Sequence, residues 1–432
     1  MKNHLIRGLA LATAGSLALA LAGCPAPGTT PGQGTNSQPL PGSNVQNGID
    51  LMKLTEKAHI AVGAGPHGLA FAGGYVVNDS PKAGTIAIID PATEQVVQTL
   101  TPDSAPGVNA AVAPSYTKAT HDGNFAVHLD GGAEGAAIKN TVMRVVNPAT
   151  KAVVQTINLG KAPGSKFVWG DDHRAYVTAG ADVADNIVLV DFGSDFTATP
   201  STHSLSVDRT GATTFTAGFP AVKNNFLAVP NGPDNSVSFV ALDPATGLAS
   251  GSVTSLTYGN NPGPVDIATY GGKNFLIYGN KNSNTAVVYN LGSKSLVNIL
   301  NVGSAPTDLA LRSDGRYAYM TCKGSGEVAV IDVSSGALVS LLKVGRGLGD
   351  QTPNPVHIYA PPAASGANEQ IWVGGDGDAS VTVIDAVLNK VIAVVQVGVG
   401  HHKMAFTADG TKAFVSNITD NTVSVVDRTV IK

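Results

Sequence analysis

Four of the ten histidines stand at the start of short apolar segments that recur along the chain, and their side chains are candidates for ligand chemistry. They are His67, His357, His401 and His402. His67 and His402 occupy equivalent positions in the recurring pattern. His357 and His401 each lie within one residue of that position in their own units. Imidazole binds zinc and copper and is an axial ligand of haem. Two hypotheses stay open: a metal site with His67 and His402 as main ligands and His401 third, or a polar surface occupied by water.

Other residues are expected on the same face as these histidines. Arg346 lies in the connection that leads to the segment of His357, so we include it in a candidate ligand-binding face with the four histidines. Met404 follows the histidine pair, but a methionine in an apolar segment is typical of a core. No nucleophile and base stand together in a recognisable motif, and no Cys-x-x-Cys-His haem attachment occurs. These observations favour a binding protein over an enzyme.

The segments that position these side chains belong to an internal repeat. Each unit is predicted to hold four short strands separated by Asp-Gly or Asn-x-Gly turns, as in the run from Leu69 to Leu100. With 50 Gly, 25 Pro and 13% charged residues, the composition favours short strands and turns. Eight units can be counted, and their first strands are expected to begin near Pro66, Asn109, Ser165, Thr213, Val265, Thr307, Val356 and His402.

One unit cannot cover its own apolar faces, so the units must pack around an axis. The sequence therefore predicts an all-β, eight-bladed β-propeller, with seven blades as the alternative if the weakly patterned region 192–226 is miscounted. The last unit lacks a fourth strand. Residues 57–63 match such a strand, so we expect this N-terminal segment to complete the last blade and to close the ring.

The N-terminus has the features of a secretory signal. Basic residues precede an uncharged apolar run over 8–22, which is too short to span a bilayer well. Leu21-Ala22-Gly23-Cys24 resembles the lipobox of bacterial lipoproteins, which implies that Cys24 is acylated and anchors the chain in the lipid bilayer. Residues 25–48 are Pro, Gly, Thr, Asn, Gln and Ser with no charge, which is typical of a flexible spacer.

These features predict three regions: a signal peptide over 1–23, a tether over 24–56 and a β-propeller over 57–432. The propeller is expected outside the cytoplasm, lipid-anchored to the membrane and facing the periplasm or the cell surface. In a Gram-negative bacterium Pro25 after the cysteine would permit export to the outer membrane. Cys322 is the one other cysteine, so the mature domain is predicted to hold no internal disulfide.

The repeat resembles the bacterial YVTN β-propeller repeat. The resemblance covers the chain from residue 57 onward and rests on Tyr75–Asn78 with Ile86–Asp90, Tyr176–Thr178 with Asn186–Asp191, and Phe414–Asn417 with Asn421–Asp427. It implies the fold and says little about activity. Broader relatives include the eight-bladed haem d1 domain of nitrite reductases and proteins that assemble that cofactor, so copper, zinc or haem d1 are the cofactors that the histidine hypothesis implies.

Two functional hypotheses result. In the first, a membrane-anchored propeller presents one face to an unidentified protein or small ligand and acts as a binding scaffold. In the second, a histidine cluster at the channel mouth binds a metal or haem d1 for redox chemistry or cofactor assembly. A pI near 6.2 and the absence of a long basic run argue against nucleic acid as a partner.

Replacement of Cys24 by Ser should release the protein from membranes, because acylation requires the thiol. The measurement is the partition of the protein between membrane and soluble fractions after a high-salt wash. Retention of Cys24→Ser in the membrane fraction would contradict the lipoprotein interpretation.

Overall fold

The computed structural model describes residues 52–102, 116–130, 142–159, 163–170, 173–179, 187–207, 219–346, 353–363 and 366–431. The predicted signal peptide and Cys24 lie outside these ranges. The first half of the described chain contains the strands β1 (Met52–Thr55), β2 (Ala58–Ala61), β3 (Leu69–Ala72), β4 (Tyr75–Ser80), β5 (Thr85–Asp90), β6 (Gln95–Leu100), β7 (Tyr116–Ala119), β8 (Ala126–Asp130), β9 (Val142–Asn147), β10 (Ala152–Asn158), β11 (Pro163–Trp169), β12 (Arg174–Ala179), β13 (Ile187–Asp191), β14 (Ser201–Leu205), β15 (Ala221–Lys223), β16 (Phe226–Asn231), β17 (Ser236–Ala241) and β18 (Thr254–Leu256).

The second half continues the same pattern and ends in a 3-10 helix. Its elements are β19 (Pro262–Tyr270), β20 (Lys273–Asn280), β21 (Thr285–Asn290), β22 (Ser295–Asn301), β23 (Pro306–Leu311), β24 (Tyr317–Cys322), β25 (Glu327–Asp332), β26 (Ala337–Lys343), β27 (Pro355–Tyr359), β28 (Gln370–Gly375), β29 (Ser380–Asp385), β30 (Lys390–Gln396), β31 (His401–Phe406), β32 (Lys412–Asn417), β33 (Thr422–Asp427) and the helix Arg428–Val430. Within the described residues, no helix is long and apolar enough to cross a membrane.

The strands form eight antiparallel sheets, which are the blades of an eight-bladed β-propeller. Blades 1 to 6 take four consecutive strands each, from β3–β6 through β23–β26, blade 7 begins with β27, and blade 8 contains β31–β33. The prediction of eight blades is therefore confirmed, and the alternative of seven is wrong. The predicted starts near Asn109 and Thr213 lie outside the described residues; the first described strands of blades 2 and 4 begin at Tyr116 and Ala221.

Closure of the ring follows the prediction. β2 pairs antiparallel with β33, with Ile60 opposite Val423, and supplies the fourth strand of blade 8. Ile60 is buried in a cluster that joins blade 8 to blade 1, with Phe414 on one side and Leu69 on the other. The N-terminal strand thus removes the open sheet edge that blade 8 would otherwise expose.

The strand β1 was not predicted. It pairs parallel with β30, with Met52 opposite Ala393, and extends blade 7 to five strands. This strand falls within the range 24–56 that the sequence predicts as a tether. Its four residues are too few and too mixed in composition to produce a recognisable strand pattern.

The residues that define the repeat motif have structural roles. The Asp at the end of a third strand accepts hydrogen bonds from the turn that follows: Asp90 Oδ1 lies 2.8 Å from Ala92 N, and Asp385 Oδ1 lies 2.8 Å from Val387 N. The Asn of the second strand fixes neighbouring loops, as Asn78 does by donating to Gly68 O at 2.9 Å. The motif therefore specifies turns and strand ends and no chemistry.

A substitution of Ile60 tests how much the closure of the ring by β2 contributes to stability. Ile60 is 5% exposed on β2, whereas Ile299 is 43% exposed on the outer strand β22. We expect Ile60→Ala to lower the free energy of unfolding by about 2–5 kcal/mol, because it leaves a cavity between blades 8 and 1. Ile299→Ala, the matched control, should change it by about 0.5 kcal/mol or less. Equal losses in urea unfolding would contradict a closing role for β2.

Candidate functional site

The candidate site lies where the first strands of the blades meet around the axis. In blades 3, 5, 6, 7 and 8 the pairing of the first strand with the second shifts register close to the start of the first strand. In blade 8 this shift falls between His401 and Met404. Such an irregularity breaks the alternation of side chains between the two faces of a strand and redirects them. The register shifts therefore influence which of the four histidine side chains come into contact.

Three of the four predicted histidines come together. The ring centroids of His67 and His402 are 3.9 Å apart, and those of His357 and His402 are 4.5 Å apart with the planes inclined by 17°. His401 turns elsewhere: its Nδ1 is 3.4 Å from Asp376 Oδ1, and its ring packs where Gly374 has no side chain. The expected pair is thus adjacent, but His357 and not His401 is the third member of the cluster.

Arg346 lies apart from this cluster. Its backbone N–H donates to Asp378 Oδ2 at 2.7 Å, and the residue lines a groove of about 500 Å³ together with Glu56, His59 and Asp420. The lining of that groove includes none of the four candidate histidines. The predicted face therefore divides into a histidine cluster and a separate groove that contains Arg346.

The histidine geometry gives no support to a metal site. Among the described residues, no group of three or more His, Cys, Asp or Glu side chains could hold a metal ion. Stacked rings such as those of His357 and His402 face one another through their π surfaces. Binding of zinc, copper or haem d1 by these histidines stays a prediction from the sequence that this arrangement does not support.

Burial keeps these imidazoles neutral. It lowers the pKa of His357 and of His402 well below 6.5, with a further contribution from nearby positive groups. Burial lowers the pKa of His401 to about 4. At neutral pH His357, His401 and His402 are therefore uncharged polar groups beside the axis.

A second group of residues, which the sequence analysis did not identify, lies next to the histidines. Lys403 Nζ is 3.2 Å from His357 Nδ1 and 5.7 Å from the centre of the Tyr116 ring. Lys118 Nζ lies 5.5 Å from the same Tyr116 ring, and Lys166 Nζ lies 4.6 Å from the ring of Phe219. Three ammonium groups from blades 8, 2 and 3 therefore gather around aromatic rings.

These lysines influence one another electrostatically. Burial is the main cause that lowers the pKa of Lys403 to about 8; Asp308 opposes this shift, and Lys118 and Lys166 contribute to it. Burial also lowers the pKa of Lys118, although Asp266 and Asp308 raise it. The carboxylates belong to blades 5 and 6. Lys118 and Lys166 thus lie on one pair of adjacent blades, and Asp266 and Asp308 lie on another.

Lys118, Lys403, Asp308 and several aromatic side chains surround a cavity of about 530 Å³, which we call the channel chamber. Its lining comes from the first strands of blades 1, 2, 3, 6, 7 and 8 and the segment preceding blade 4, and it consists of Gly68, Leu69, Ala70, Phe71, Tyr116, Thr117, Lys118, Ala119, Phe167, Trp169, Phe219, Pro220, Asp308, Ile358, Tyr359, Ala360, Pro361, Pro362, Lys403, Met404, Ala405 and Phe406. A volume of this size is typical of sites for small organic ligands.

Beneath the histidines, a buried network joins blades 1 and 2. Thr117 Oγ1 donates to Asp79 Oδ2 at 2.7 Å and lies 2.7 Å from His128 Nδ1. Gly68 N donates to Asp79 Oδ1 at 2.6 Å. Burial alone would raise the pKa of Asp79, but the contacts with His128 and Thr117 lower it. The network fixes the strand start that carries His67.

Comparison with known proteins identifies the fold only. The sequence matches no protein-family model and no curated protein. Among solved structures, Chaetomium thermophilum Sqt1 bound to the N-terminus of ribosomal protein L10 is 17% identical, with a TM-score of 0.63 over 87% of this chain and 100% of that chain. A chain of the mitotic checkpoint complex is 13% identical, with a TM-score of 0.52 over 87% of this chain and 96% of that chain. Kuenenia stuttgartiensis hydrazine synthase is 14% identical, with a TM-score of 0.51 over 85% of this chain and 96% of that chain. All three likenesses are likenesses of fold.

The low pKa of His401 predicts a specific dependence of stability on pH. Between pH 6.5 and about 4 the unfolded chain protonates this imidazole and the folded chain does not, so stability falls as pH falls through that window. The advantage of the wild type over His401→Gln should therefore shrink there by up to about 3 kcal/mol.

Unfolding in urea at several pH values measures this effect. The control is His203→Gln, because His203 is exposed on β14. A constant difference between the wild type and His401→Gln would show that the imidazole does not titrate in this window.

Proposed function

We propose that this chain is a membrane-anchored, extracytoplasmic binding protein whose ligand occupies the channel chamber of its β-propeller. The single observation that supports this proposal best is the convergence of Lys118 and Lys403 with aromatic rings on a cavity of about 530 Å³. Buried charges destabilise a fold unless they are paired, so their presence in a cavity points to a functional role.

Two further features favour binding over catalysis. The chamber is formed by first strands of at least six blades, so its shape is set by the whole closed ring and is pre-formed. In its lining, the hydroxyl of Thr117 donates to Asp79, and both side chains are buried where they join blade 2 to blade 1, which gives this pair a structural role. Sqt1, a structure of similar fold, is bound to a protein N-terminus, which keeps a protein segment among the possible occupants.

The anchoring part of the proposal rests on the sequence. Cys24 follows a lipobox-like segment, and the uncharged residues 25–48 would hold the propeller away from the bilayer. A propeller tethered in this way would sample ligands outside the cytoplasm and near the membrane surface.

Three naphthalene derivatives test whether the chamber binds ligands. They are 2-naphthoate, 2-naphthamide and 2-naphthylmethylammonium, which differ in charge and share one ring system. We expect at least one of them to bind the detergent-solubilised full chain in isothermal titration calorimetry. Ala360→Trp should abolish that binding, because Ala360 is exposed and lines the chamber, so the indole would occlude it.

The matched control is Ala337→Trp. Ala337 is exposed on β26, the outer strand of blade 6, and does not line the chamber. This variant should bind as the wild type does. The proposal is wrong if none of the three compounds binds, or if Ala360→Trp leaves their binding unchanged.

A further inference from the structure

We propose that the channel chamber is selective for a small organic anion with a flat aromatic body, such as an aromatic carboxylate. This inference rests on the proposed function, because it names the class of ligand that the chamber takes. It depends on the balance of charges around the cavity, on how those charges are already engaged, and on the composition of the lining.

Two of the lysines, Lys118 and Lys403, have no salt-bridge partner among the residues that the structure describes. Neither Lys118 nor Lys403 forms an ion pair with a described carboxylate, and both ammonium groups lie near aromatic rings. Lys403 Nζ instead contacts the neutral His357 at 3.2 Å. Like charges that share a buried cavity repel one another. An anion bound between them would remove this repulsion and supply the missing partner.

The acidic residues of the channel do not fill that role. Asp308 Oδ1 accepts from Leu309 N at 2.8 Å, and Asp308 Oδ2 accepts from Ile358 N at 3.4 Å and lies 3.3 Å from His357 Nδ1. Its oxygens are therefore directed to blades 6 and 7. Burial raises the pKa of Asp266 to about 6, and Asp266 is not part of the chamber lining. Among the charged residues of the lining, Lys118 and Lys403 therefore remain available to a ligand.

The lining also selects the body of the ligand. Seven of the 22 lining residues are aromatic, whereas aromatic residues make up 6% of the chain, so the chamber is strongly enriched in flat apolar surfaces. Aromatic pairs prefer offset or edge-to-face contacts, which the Tyr116 and Phe167 rings already show at 5.5 Å. A planar ligand can extend this arrangement.

A cationic ligand fits the same lining poorly. The aromatic faces attract cations, but the protein's own lysines already lie over them: Lys403 Nζ is 5.5 Å and Lys166 Nζ 4.6 Å from the centre of the Phe219 ring. A cationic ligand would have to displace these groups or accept their repulsion. The arrangement therefore favours a negative charge on the ligand.

Calorimetry with the three naphthalene probes tests this selectivity. On the full chain in detergent at neutral pH, 2-naphthoate should bind at least about tenfold more tightly than 2-naphthamide, because a hydrogen bond to a charged partner is stronger than one to a neutral partner. The cation 2-naphthylmethylammonium should bind more weakly than the amide.

The lysine variants identify the source of the selectivity. Lys118→Met and Lys403→Met keep the length of the side chain and remove its charge, and each should bring the affinity for 2-naphthoate close to that for 2-naphthamide. Lys273→Met is the control, because Lys273 is exposed at the start of β20. The melting temperature of each variant shows that it is folded, and we expect no large loss since the charges removed repel one another.

A pH series adds a readout that a structural role would not affect. Lys403 faces ionisable groups on every neighbouring element, namely Lys118, Lys166, Asp308, His357, Asp376, His401 and His402. Because the pKa of Lys403 is about 8, the affinity for 2-naphthoate should fall as the pH rises above that value. Lys403→Arg should show a smaller fall in affinity for 2-naphthoate over the same range, since guanidinium remains protonated.

The outcomes separate this inference from the proposed function. If 2-naphthamide binds as tightly as 2-naphthoate and Ala360→Trp abolishes both, the chamber is a ligand site and anion selectivity is wrong. The same conclusion follows if the Lys118 and Lys403 variants retain the preference for 2-naphthoate. If none of the probes binds, both the inference and the proposed function are wrong.

Discussion

The pairing of β2 with β33 closes the ring, and the geometry of the candidate site depends on it. Blade 8 and blade 1 are more than 300 residues apart in the chain, yet they share one apolar cluster that contains Ile60, Leu69 and Phe414. This packing brings His67 within 3.9 Å of His402. Because the first strand of every blade borders the axis, the width of the channel chamber is also set by closure.

Within the closed ring, the channel combines groups that a purely structural core would avoid. The interfaces between blades are filled by apolar residues, and the second and third strands of most blades are almost wholly buried. The axis instead holds lysines, carboxylates and imidazoles, several of which have pKa values moved by burial. The apolar interfaces provide the stability that allows a polar, partly desolvated axis to persist.

The sequence predicts the fold well because the fold is encoded in local, repeated features. Alternating apolar residues and Asp- or Asn-based turns recur in each unit, so blade number and closure by residues 57–63 could be inferred. The adjacency of His67 and His402 followed from their equivalent positions. The roles of His357 and His401 could not be predicted from their positions in the repeat. A register shift at the start of the first strand in blades 7 and 8 breaks the simple alternation of side chains.

The lysines in and near the chamber could not be predicted to be neighbours from the sequence. Lys118, Lys166 and Lys403 belong to three blades, and nothing in their individual surroundings in the sequence marks them as neighbours. A signal appears only when the units are aligned, because each lysine then lies in the first strand of its unit. The strand β1 had no comparable signal, since its parallel pairing with β30 is unlike any pairing inside the repeat.

The order of β1 and β2 along the chain has a mechanical consequence. A pull on the chain from the side of residue 51 reaches β1 first, and β1 is attached to blade 7 through its pairing with β30. The load must detach these four residues before it reaches β2, whose release would open blade 8. The pairing of β1 with β30 therefore protects the pairing of β2 with β33 from a force applied to the chain before β1.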